Sequence, residues 1–359
     1  MGRMTNKIRV AIAGIGNCAS ALIQGIHYYK SVNEKDSIGL TAYNLAGYTP
    51  NDIEFVSAFD VSDSKVGLDL SEAIFSPPNN AIKISDVTNL GVKVNKGKVL
   101  DGVGKHLAEK ITLSNHETAN IAQILKDSQA DVLVNYLPVG SRAATQFYAE
   151  QCLEAGVSFL NAIPVFIASE TKWQQSFKAK NLLCAGDDIM SQVGATVVHK
   201  TLVKLFIDRG VKVDDTYQLN IGGDMDFYNM LDDDRLEDKR ISKTSAVEAM
   251  SPYHIPMRIG PSDFVESLKN DKVCYINIRG RKFGYIPIEL DLKLRVADAY
   301  NSAGIMVDAI RATKIGLDRG LSGVLESVSA YCFKHPPIQM PYTQAKEKFI
   351  HFINGKANS

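Results

Sequence analysis

Short apolar runs alternate with amphipathic stretches along the first half of the chain. The runs have the length and composition of buried strands, at residues 8–13, 53–60, 131–138, 157–164 and 181–188. Helical spacing of apolar positions fills the intervals between them, at residues 19–30, 119–128, 141–156 and around Trp173. This alternation predicts a doubly wound α/β fold, in which helices cover both faces of a parallel sheet.

The pattern changes after about residue 190. A long helix is predicted there, followed by closely spaced strand candidates at residues 216–222, 254–260, 272–280 and 283–298. Strict alternation in residues 288–296 (IELDLKLRV) indicates an antiparallel strand with one face in water. A strong helix at residues 301–320 follows. We therefore predict a Rossmann-type domain of residues 1–195, completed by residues 301–359, and an inserted α+β domain of residues 196–300.

Composition narrows the class of protein. The 359 residues carry 40 Lys plus Arg against 40 Asp plus Glu, so there is no global electrostatic reason to expect nucleic acid or an anionic membrane as partner. The five cysteines are scattered without a CxxC pair, which suits a reducing compartment. The N-terminus lacks a signal-peptide pattern, and no apolar run approaches about 18 residues. We expect a cytoplasmic protein.

The segment Gly14-Ile15-Gly16-Asn17-Cys18-Ala19 joins the first predicted strand to the first predicted helix. Its glycines allow a tight turn and close approach of a diphosphate, and the helix start favours an anion. Asp60 ends the second strand, where a carboxylate accepts hydrogen bonds from ribose hydroxyls; it comes later than the usual ~20 residues, so residues 31–51 form an insertion. NAD is favoured over NADP, because Asp60 repels a 2′-phosphate and no Arg follows within four residues. An ordinary strand-to-helix turn is the alternative.

Two further loops follow predicted strands, at the edge of the sheet where ligands bind in this fold. They are Leu137-Pro138-Val139-Gly140-Ser141, and Gly186-Asp187-Asp188 together with Ser191-Gln192-Val193-Gly194-Ala195-Thr196. The second combines carboxylate, hydroxyl and amide groups ahead of a helix, which suits a phosphate or a nicotinamide ribose. Capping of that helix by an Asp or Ser oxygen is the alternative.

Charged residues in the predicted inserted domain are further candidates. Lys239 and Lys243 lie four residues apart, on one face if helical. Spacing alone singles out none of the other candidate lysines, which are Lys272, Lys293 and Lys334. Residues 232–234 are three acids, which form either a solvated loop or a divalent-cation site. The sequence has no HExxH, GxSxG or Walker motif and no aromatic-basic ladder for RNA.

A series of segments resembles the myo-inositol-3-phosphate (inositol-1-phosphate) synthases of the bacterial and archaeal type, essentially from end to end. The segments are GIGNCAS (14–20), FDVSDSKVGLDLSEAIF (59–75), YLPVGS (136–141), GDDIMSQVGAT (186–196), NIGGDMDFYNML (220–231), RLEDKRISKT (235–244), IGPSDF (259–264) and NSAG (301–304). A lone GxGxxA is a weak signal, whereas this set in this order is specific.

The resemblance implies an isomerase that converts D-glucose 6-phosphate to 1D-myo-inositol 3-phosphate. Its chemistry is oxidation at C5 by tightly held NAD, enolisation, aldol closure onto C1 and reduction, with no net redox change. Negative charge develops on the oxygens of C5 and C1, and preorganised lysines can stabilise it without a metal. The resemblance also implies a homotetramer that forms through the sheet of the inserted domain.

By the same resemblance, each predicted ligand group has a set of residues. The catalytic lysines are Lys239, Lys243, Lys272 and Lys334, the first two acting at C5 and the others at the phosphate or the aldehyde oxygen. NAD contacts Gly14, Gly16, Asn17, Cys18, Ala19, Asp60, Leu137, Pro138, Val139, Asp188 and Asp298. The substrate phosphate contacts Ser191, Gln192 and Thr196.

Two positions depart from the family pattern, and some questions stay open. Residue 190 is often Lys in bacterial members and is Met190 here; residue 224 is often Asn and is Asp224 here. Some members use a divalent cation, and the sequence leaves that requirement undetermined. A dehydrogenase with net redox and an NAD-binding sensor or scaffold are the competing functions. The presence of Lys at all four predicted lysine positions argues against the scaffold.

Overall fold

A computed structural model describes residues 7–357 of the chain. The strands of its first sheet are β1 (Ile8–Ala13), β2 (Ile53–Asp60), β3 (Val94–Lys96), β4 (Val132–Asn135), β5 (Ser158–Asn161), β6 (Leu183–Ala185) and β11 (Gly323–Val324). They are parallel throughout, in the order β11-β6-β5-β4-β1-β2-β3. Residues 1–6 and 358–359 lie outside the described residues. The first of these ranges includes the start of the N-terminal segment in which no signal peptide is predicted.

Helices cover both faces of this sheet. They are α1 (Asn17–Tyr29), α2 (Leu70–Ala73), α3 (Ile121–Asp127), α4 (Arg142–Ala155), α5 (Thr171–Ala179), α9 (Asp298–Asp318), α10 (Glu326–Cys332) and α11 (Tyr342–Ile353). In β1, Ile8, Val10 and Ile12 pack into one core and Ala11 and Ala13 into the other. A strand buried on both faces favours apolar residues at successive positions, which explains the apolar run of residues 10–13; Arg9, near the start of the strand, is only partly buried.

A second, four-stranded sheet follows β6 in the chain. Its elements are α6 (Ala195–Asp208), β7 (Lys212–Gly222), α7 (Met225–Asn229), α8 (Glu237–Glu248), β8 (Met257–Phe264), β9 (Asp271–Arg281) and β10 (Pro287–Ala297). The order is β10-β9-β7-β8, with β9 antiparallel to both neighbours and β7 parallel to β8. Apolar residues of α6 and α8 pack on one face of it. The predicted fold class is therefore confirmed; the predicted domain limits stay a prediction.

Details differ from the sequence-based prediction where no local signal exists. β3 and β11 have three and two residues, too short to show a pattern, and they were not predicted. α9 begins at Asp298 rather than at residue 301, because β10 runs directly into it. The predicted insertion after α1 is present. Buried Arg311 of α9 holds it by donating to the carbonyl oxygens of Ala42, Tyr43 and Tyr48.

Two global features bear on the predicted class of protein. All five cysteines are unpaired, and all but Cys18 are buried. Within residues 7–357, no helix has both the length and the apolar character needed to cross a membrane.

Gly14→Ala should destabilise the protein, whereas Gly16→Ala in the same turn should not. Gly14 has a φ of +89°, and a Cβ there would lie 2.5 Å from the carbonyl oxygen of Tyr136; a Cβ on Gly16 would meet no atom within 4 Å. We expect the free energy of unfolding to fall by about 2 kcal/mol or more in the first variant and by less than about 0.5 kcal/mol in the second. Denaturant unfolding followed by circular dichroism measures both, and equal losses would contradict the prediction.

Candidate active site

One cavity opens at the carboxyl edge of the parallel sheet, beside the second sheet. Its wall includes the glycine turn after β1, the end of β2, and the loops after β4 and β6. The starts of α6 and α9, the helix α8 and strand β9 also contribute to it. Strand order reverses between β1 and β4, so the cavity lies at the switch point where this fold binds ligands.

The glycine turn is held by hydrogen bonds to the end of β2, and the helix that follows it begins without a capping side chain. The N–H of Gly14 donates to the carbonyl oxygen of Phe59 (2.8 Å), and that of Ile15 donates to Asp60 Oδ2 (2.8 Å). α1 then starts at the N-cap Gly16 with no side-chain cap and no acid in its first turn. The first N–H groups of a helix have no partner within it, so this start can bind an anion.

Four lysines lie on the cavity wall and form a lysine cluster, which consists of Lys239, Lys243, Lys272 and Lys334. Asp188 is the carboxylate at the centre of this cluster. Its Oδ1 accepts from Lys334 Nζ (2.9 Å) and faces Lys239 Nζ (3.8 Å), while its Oδ2 accepts from Ser242 Oγ (2.7 Å). Burial raises the pKa of this carboxyl, but the two ammonium groups outweigh burial and lower it to about 2. Asp188 is therefore ionised at neutral pH.

The neighbouring acid, Asp187, is turned into the protein. It is fully buried and accepts hydrogen bonds from the Asn161 side chain, from the backbone N–H groups of Ile167, Ala168 and Ser169, and from the Ser169 hydroxyl. Burial raises its pKa to about 6. Of the two adjacent acids, one holds the loop after β5 and the other faces the cavity.

The two lysines of α8 differ in charge environment. Lys239 faces Asp188 and Asp226, 3.6 Å from the latter, and these carboxylates raise its pKa despite burial. Lys243 has no acidic partner among the described residues. Burial lowers its pKa to about 7, with help from the positive charges of Lys239, Lys272 and Lys334. One lysine is therefore permanently charged, and the other can take up and release a proton near neutral pH.

Lys272 and Lys334 come from distant parts of the chain. Lys272 on β9 pairs with Asp298, the first residue of α9, and this ion pair lowers the pKa of the carboxyl despite its burial. Lys334 follows α10, and its backbone N–H donates to the carbonyl oxygen of Asp188 (2.7 Å). Burial lowers the pKa of Lys334, an effect that Asp188 opposes.

The start of α6 forms part of the cavity wall. Ser191, Gly194 and Thr196 line the cavity. The N-cap residue of α6 is Gly194, and among the described residues no side chain accepts a hydrogen bond from the first N–H groups of the helix. The alternative that Asp or Ser caps this helix is therefore wrong. Gln192 is not on the described wall, because its amide donates to the carbonyl oxygen of Gly39 (2.8 Å) in the insertion.

Comparison with known proteins identifies the family. Residues 194–299 match the family model described as myo-inositol-1-phosphate synthase. The inositol-3-phosphate synthase of Mycolicibacterium smegmatis is 48% identical over 99% of this chain and 100% of its own length. That of Corynebacterium glutamicum is 48% identical over 97% and 99%. The chain belongs to the inositol-3-phosphate synthase family.

Solved structures agree with this membership of the inositol-3-phosphate synthase family. A myo-inositol-1-phosphate synthase-related protein of Thermotoga maritima is 25% identical, with a TM-score of 0.77 and coverage of 97% of this chain and 98% of that one. Ari2 is 30% identical, with a TM-score of 0.78 and coverage of 97% and 99%. The resemblance drawn from the motifs is confirmed, and the protein is an enzyme of this family.

Most of the predicted site residues of this synthase-family chain meet at the cavity. Its wall contains Gly14, Gly16, Asn17, Cys18, Asp60, Leu137, Pro138, Val139, Asp188, Ser191, Thr196, Lys239, Lys243, Lys272, Asp298 and Lys334. Ala19 lies behind the turn in the hydrophobic core. Lys293 lies over the ring of Tyr275, 5.5 Å from its centroid, and is not on the wall.

Both departures from the family pattern also line the cavity. Met190 is buried, with 4% exposure. Asp224 caps α7 through Oδ1, which accepts from the N–H groups of Asp226 and Phe227 (3.1 Å each). Its Oδ2 has no hydrogen-bond partner in the described structure. Burial raises the pKa of Asp224 to about 7, and the negative charges of Asp226 and Asp298 add to this.

Several wall residues escaped the sequence-based prediction. They are Lys65, Asn79, Tyr136, Asn220 and Asp226. Lys65 and Asp226 lie within motifs quoted above, yet neither has a spacing signal that distinguishes it from surface charge. In the acid run, Asp232 pairs with Lys105 (3.2 Å), and the side chain of Asp233 lies outside the described part. Among the side chains that the structure describes, no group of three His, Cys, Asp or Glu is suited to a metal.

Proposed function

We propose that the protein converts D-glucose 6-phosphate to 1D-myo-inositol 3-phosphate, with NAD regenerated in each turnover. The observation that carries the proposal is the convergence of Lys239, Lys243, Lys272 and Lys334 on the cavity that also contains the glycine turn. A sugar oxidised and reduced in one site needs both a dinucleotide and cations that stabilise oxyanions there. Membership of the synthase family supports the same substrate and product.

The glycine turn fits NAD. Gly14 leaves no room for a Cβ against Tyr136, whereas a side chain on Gly16 would project into open space, which a diphosphate can occupy. The uncapped start of α1 supplies N–H donors to the diphosphate. Asp60 lines the cavity at the end of β2, where it can accept from ribose hydroxyls. When bound, NAD supplies reversible hydride transfer at C5 of the sugar.

The start of α6 suits the substrate phosphate. Its free N–H groups, the Ser191 and Thr196 hydroxyls on the wall and a lysine of the same cavity can together bind a dianion such as phosphate. We assign Lys272 and Lys334 to the phosphate or the aldehyde oxygen at C1. Gln192 is left out of this assignment, because its amide is engaged with Gly39.

The α8 lysines suit the chemistry at C5. Lys239, held cationic by Asp188 and Asp226, stabilises negative charge on the C5 oxygen. Lys243 accepts the proton of the C5 hydroxyl and later returns it, because a pKa of about 7 makes both forms available at neutral pH. No residue in this scheme requires a metal.

A homotetramer and two domains complete the proposal. The outer face of the second sheet exposes Tyr217, Leu219 and Tyr275, and the last two lie directly opposite each other on β7 and β9. A contiguous apolar patch of this kind favours burial against another subunit.

We propose that the chain forms two domains, one of residues 1–195 completed by residues 301–359, and an inserted one of residues 196–300. Five unpaired cysteines support a cytoplasmic location.

Incubation of the purified protein with glucose 6-phosphate and NAD should yield inositol phosphate without accumulation of NADH. The lysine cluster retains the oxidised sugar until it has been reduced again, so hydride removed at C5 returns to the product. ³¹P and ¹H NMR follow the product, and absorbance at the NADH band follows the redox state. Stoichiometric NADH release with an oxidised sugar phosphate would instead establish a dehydrogenase.

Lys243→Ala should abolish turnover and leave NAD affinity unchanged. The variant loses the amine that exchanges the C5 proton, whereas the glycine turn and Asp60 remain intact. We expect kcat to fall by about two to four orders of magnitude, while the Kd for NAD from calorimetry stays within about twofold. Lys346→Ala, at an exposed position of α11, is the control and should behave as wild type. Cyclisation at the normal rate would remove Lys243 from the mechanism.

Asp224→Asn should remove part of the pH dependence of substrate binding. Asn keeps the oxygen that caps α7, so the fold should persist. Above a pH of about 7 the native Asp224 carboxyl ionises and adds negative charge to a cavity that binds a phosphate dianion. The KM for glucose 6-phosphate should therefore rise between pH 6 and pH 8 by severalfold more in the wild type than in Asp224→Asn. The substrate's own ionisation is common to both, so superimposable profiles would contradict this role.

A further inference from the structure

We propose that Lys65 is a positioning residue for the dinucleotide: it fixes the Ile15 peptide groups in the glycine turn and brings a buried positive charge to the diphosphate site. The inference rests on the proposed use of NAD. It concerns a lysine that the proposed mechanism does not use and that no fingerprint of the turn includes. Lys65 follows β2 and lines the same cavity as Gly14, Gly16 and Asp60.

Both polar backbone groups of Ile15 are held by side chains. Its N–H donates to Asp60 Oδ2 (2.8 Å), and its carbonyl oxygen accepts from Lys65 Nζ (2.8 Å) and Asn79 Nδ2 (3.0 Å). Lys65 Nζ also donates to Asn79 Oδ1 (3.0 Å), which closes the network. Ile15 is the residue between the two glycines, so these contacts set how the turn presents the start of α1 to a ligand.

The charge of Lys65 lacks a direct partner within the described residues. The side chain is only 4% exposed, and its two hydrogen-bond partners among the described residues, Ile15 and Asn79, are neutral. Asp60 is the carboxylate that acts on it, but the oxygens of Asp60 already accept from the N–H groups of Ile15, Val61 and Ser62. A buried ammonium is costly unless an anion compensates it. Of its three donors two are used, and a diphosphate beside the turn would supply the missing acceptor and charge.

A second buried lysine provides a matched control. Lys200 of α6 is 2% exposed, and its Nζ likewise donates to a backbone carbonyl oxygen, that of Met340 (2.9 Å). It is not among the residues on the cavity wall. Replacement of Lys200 by Met removes a comparable buried charge and hydrogen bond without touching the glycine turn.

The test compares Lys65→Met, Lys65→Gln and Lys200→Met with the wild type by calorimetric binding of NAD, ADP-ribose and adenosine. Lys65→Met should weaken NAD and ADP-ribose by about ten- to a hundredfold, the expected loss for a charge-assisted contact. Adenosine, which carries no phosphate, should change by less than about threefold. Lys65→Gln keeps a donor for Ile15 without the charge, so its loss should be intermediate. Lys200→Met should bind all three as the wild type does.

The outcomes separate this inference from the proposed function. Wild-type protein that binds no NAD would overturn the proposed function and the inference together. Wild-type binding with unchanged NAD affinity in the Lys65 variants would overturn the inference alone. Equal losses for adenosine and ADP-ribose would show general damage to the fold and would also overturn it. If Lys65→Met fails to fold, Lys65→Gln decides by the same comparison of the three ligands.

Discussion

The Nζ atoms of Lys239 and Lys334 both face one oxygen of Asp188, at 3.8 and 2.9 Å, and all three side chains are largely shielded from solvent. Two unit charges about 4 Å apart interact by about 4 kcal/mol near a protein surface. A cluster of ammonium groups therefore cannot persist in such a cavity without carboxylates among them. Asp188 and Asp226 together offset Lys239 and Lys334, and Asp298 offsets Lys272. The geometry of the site depends on this balance.

The same balance leaves one lysine different from the rest. Lys243 has no acid of its own in the described structure, so burial, together with the positive charges of its neighbours, lowers its pKa to about 7, whereas that of Lys239 is raised. Two lysines one helical turn apart thus have pKa values shifted in opposite directions, which supports the different roles proposed for them. Where environments push the pKa values of paired groups apart, acid–base roles can be assigned to them.

Local sequence patterns, such as apolar runs and residue spacing, explain which parts of the site could be predicted from the sequence. The glycine turn and Asp60 follow strands whose apolar runs are visible, so their positions could be predicted. Lys272 and Lys334 share no spacing with Lys239 and meet it only through the fold; the resemblance supplied them. Gln192 was assigned with Ser191, but adjacent side chains diverge, and Gly39 of the insertion engages its amide. That contact crosses about 150 residues of sequence and leaves no local signal.

The inserted sheet and the parallel sheet are joined at the reacting groups themselves. β10 runs into α9 without a loop, and the first residue of that helix, Asp298, pairs with Lys272 of β9. Ser242 of α8 donates to Asp188, which follows β6 of the parallel sheet. Each contact links a residue of one sheet's layer to a carboxylate associated with the other. This coupling suits the proposed reaction, whose intermediates stay bound between oxidation, ring closure and reduction, because any separation of the layers would unpair buried charges as well as open the cavity.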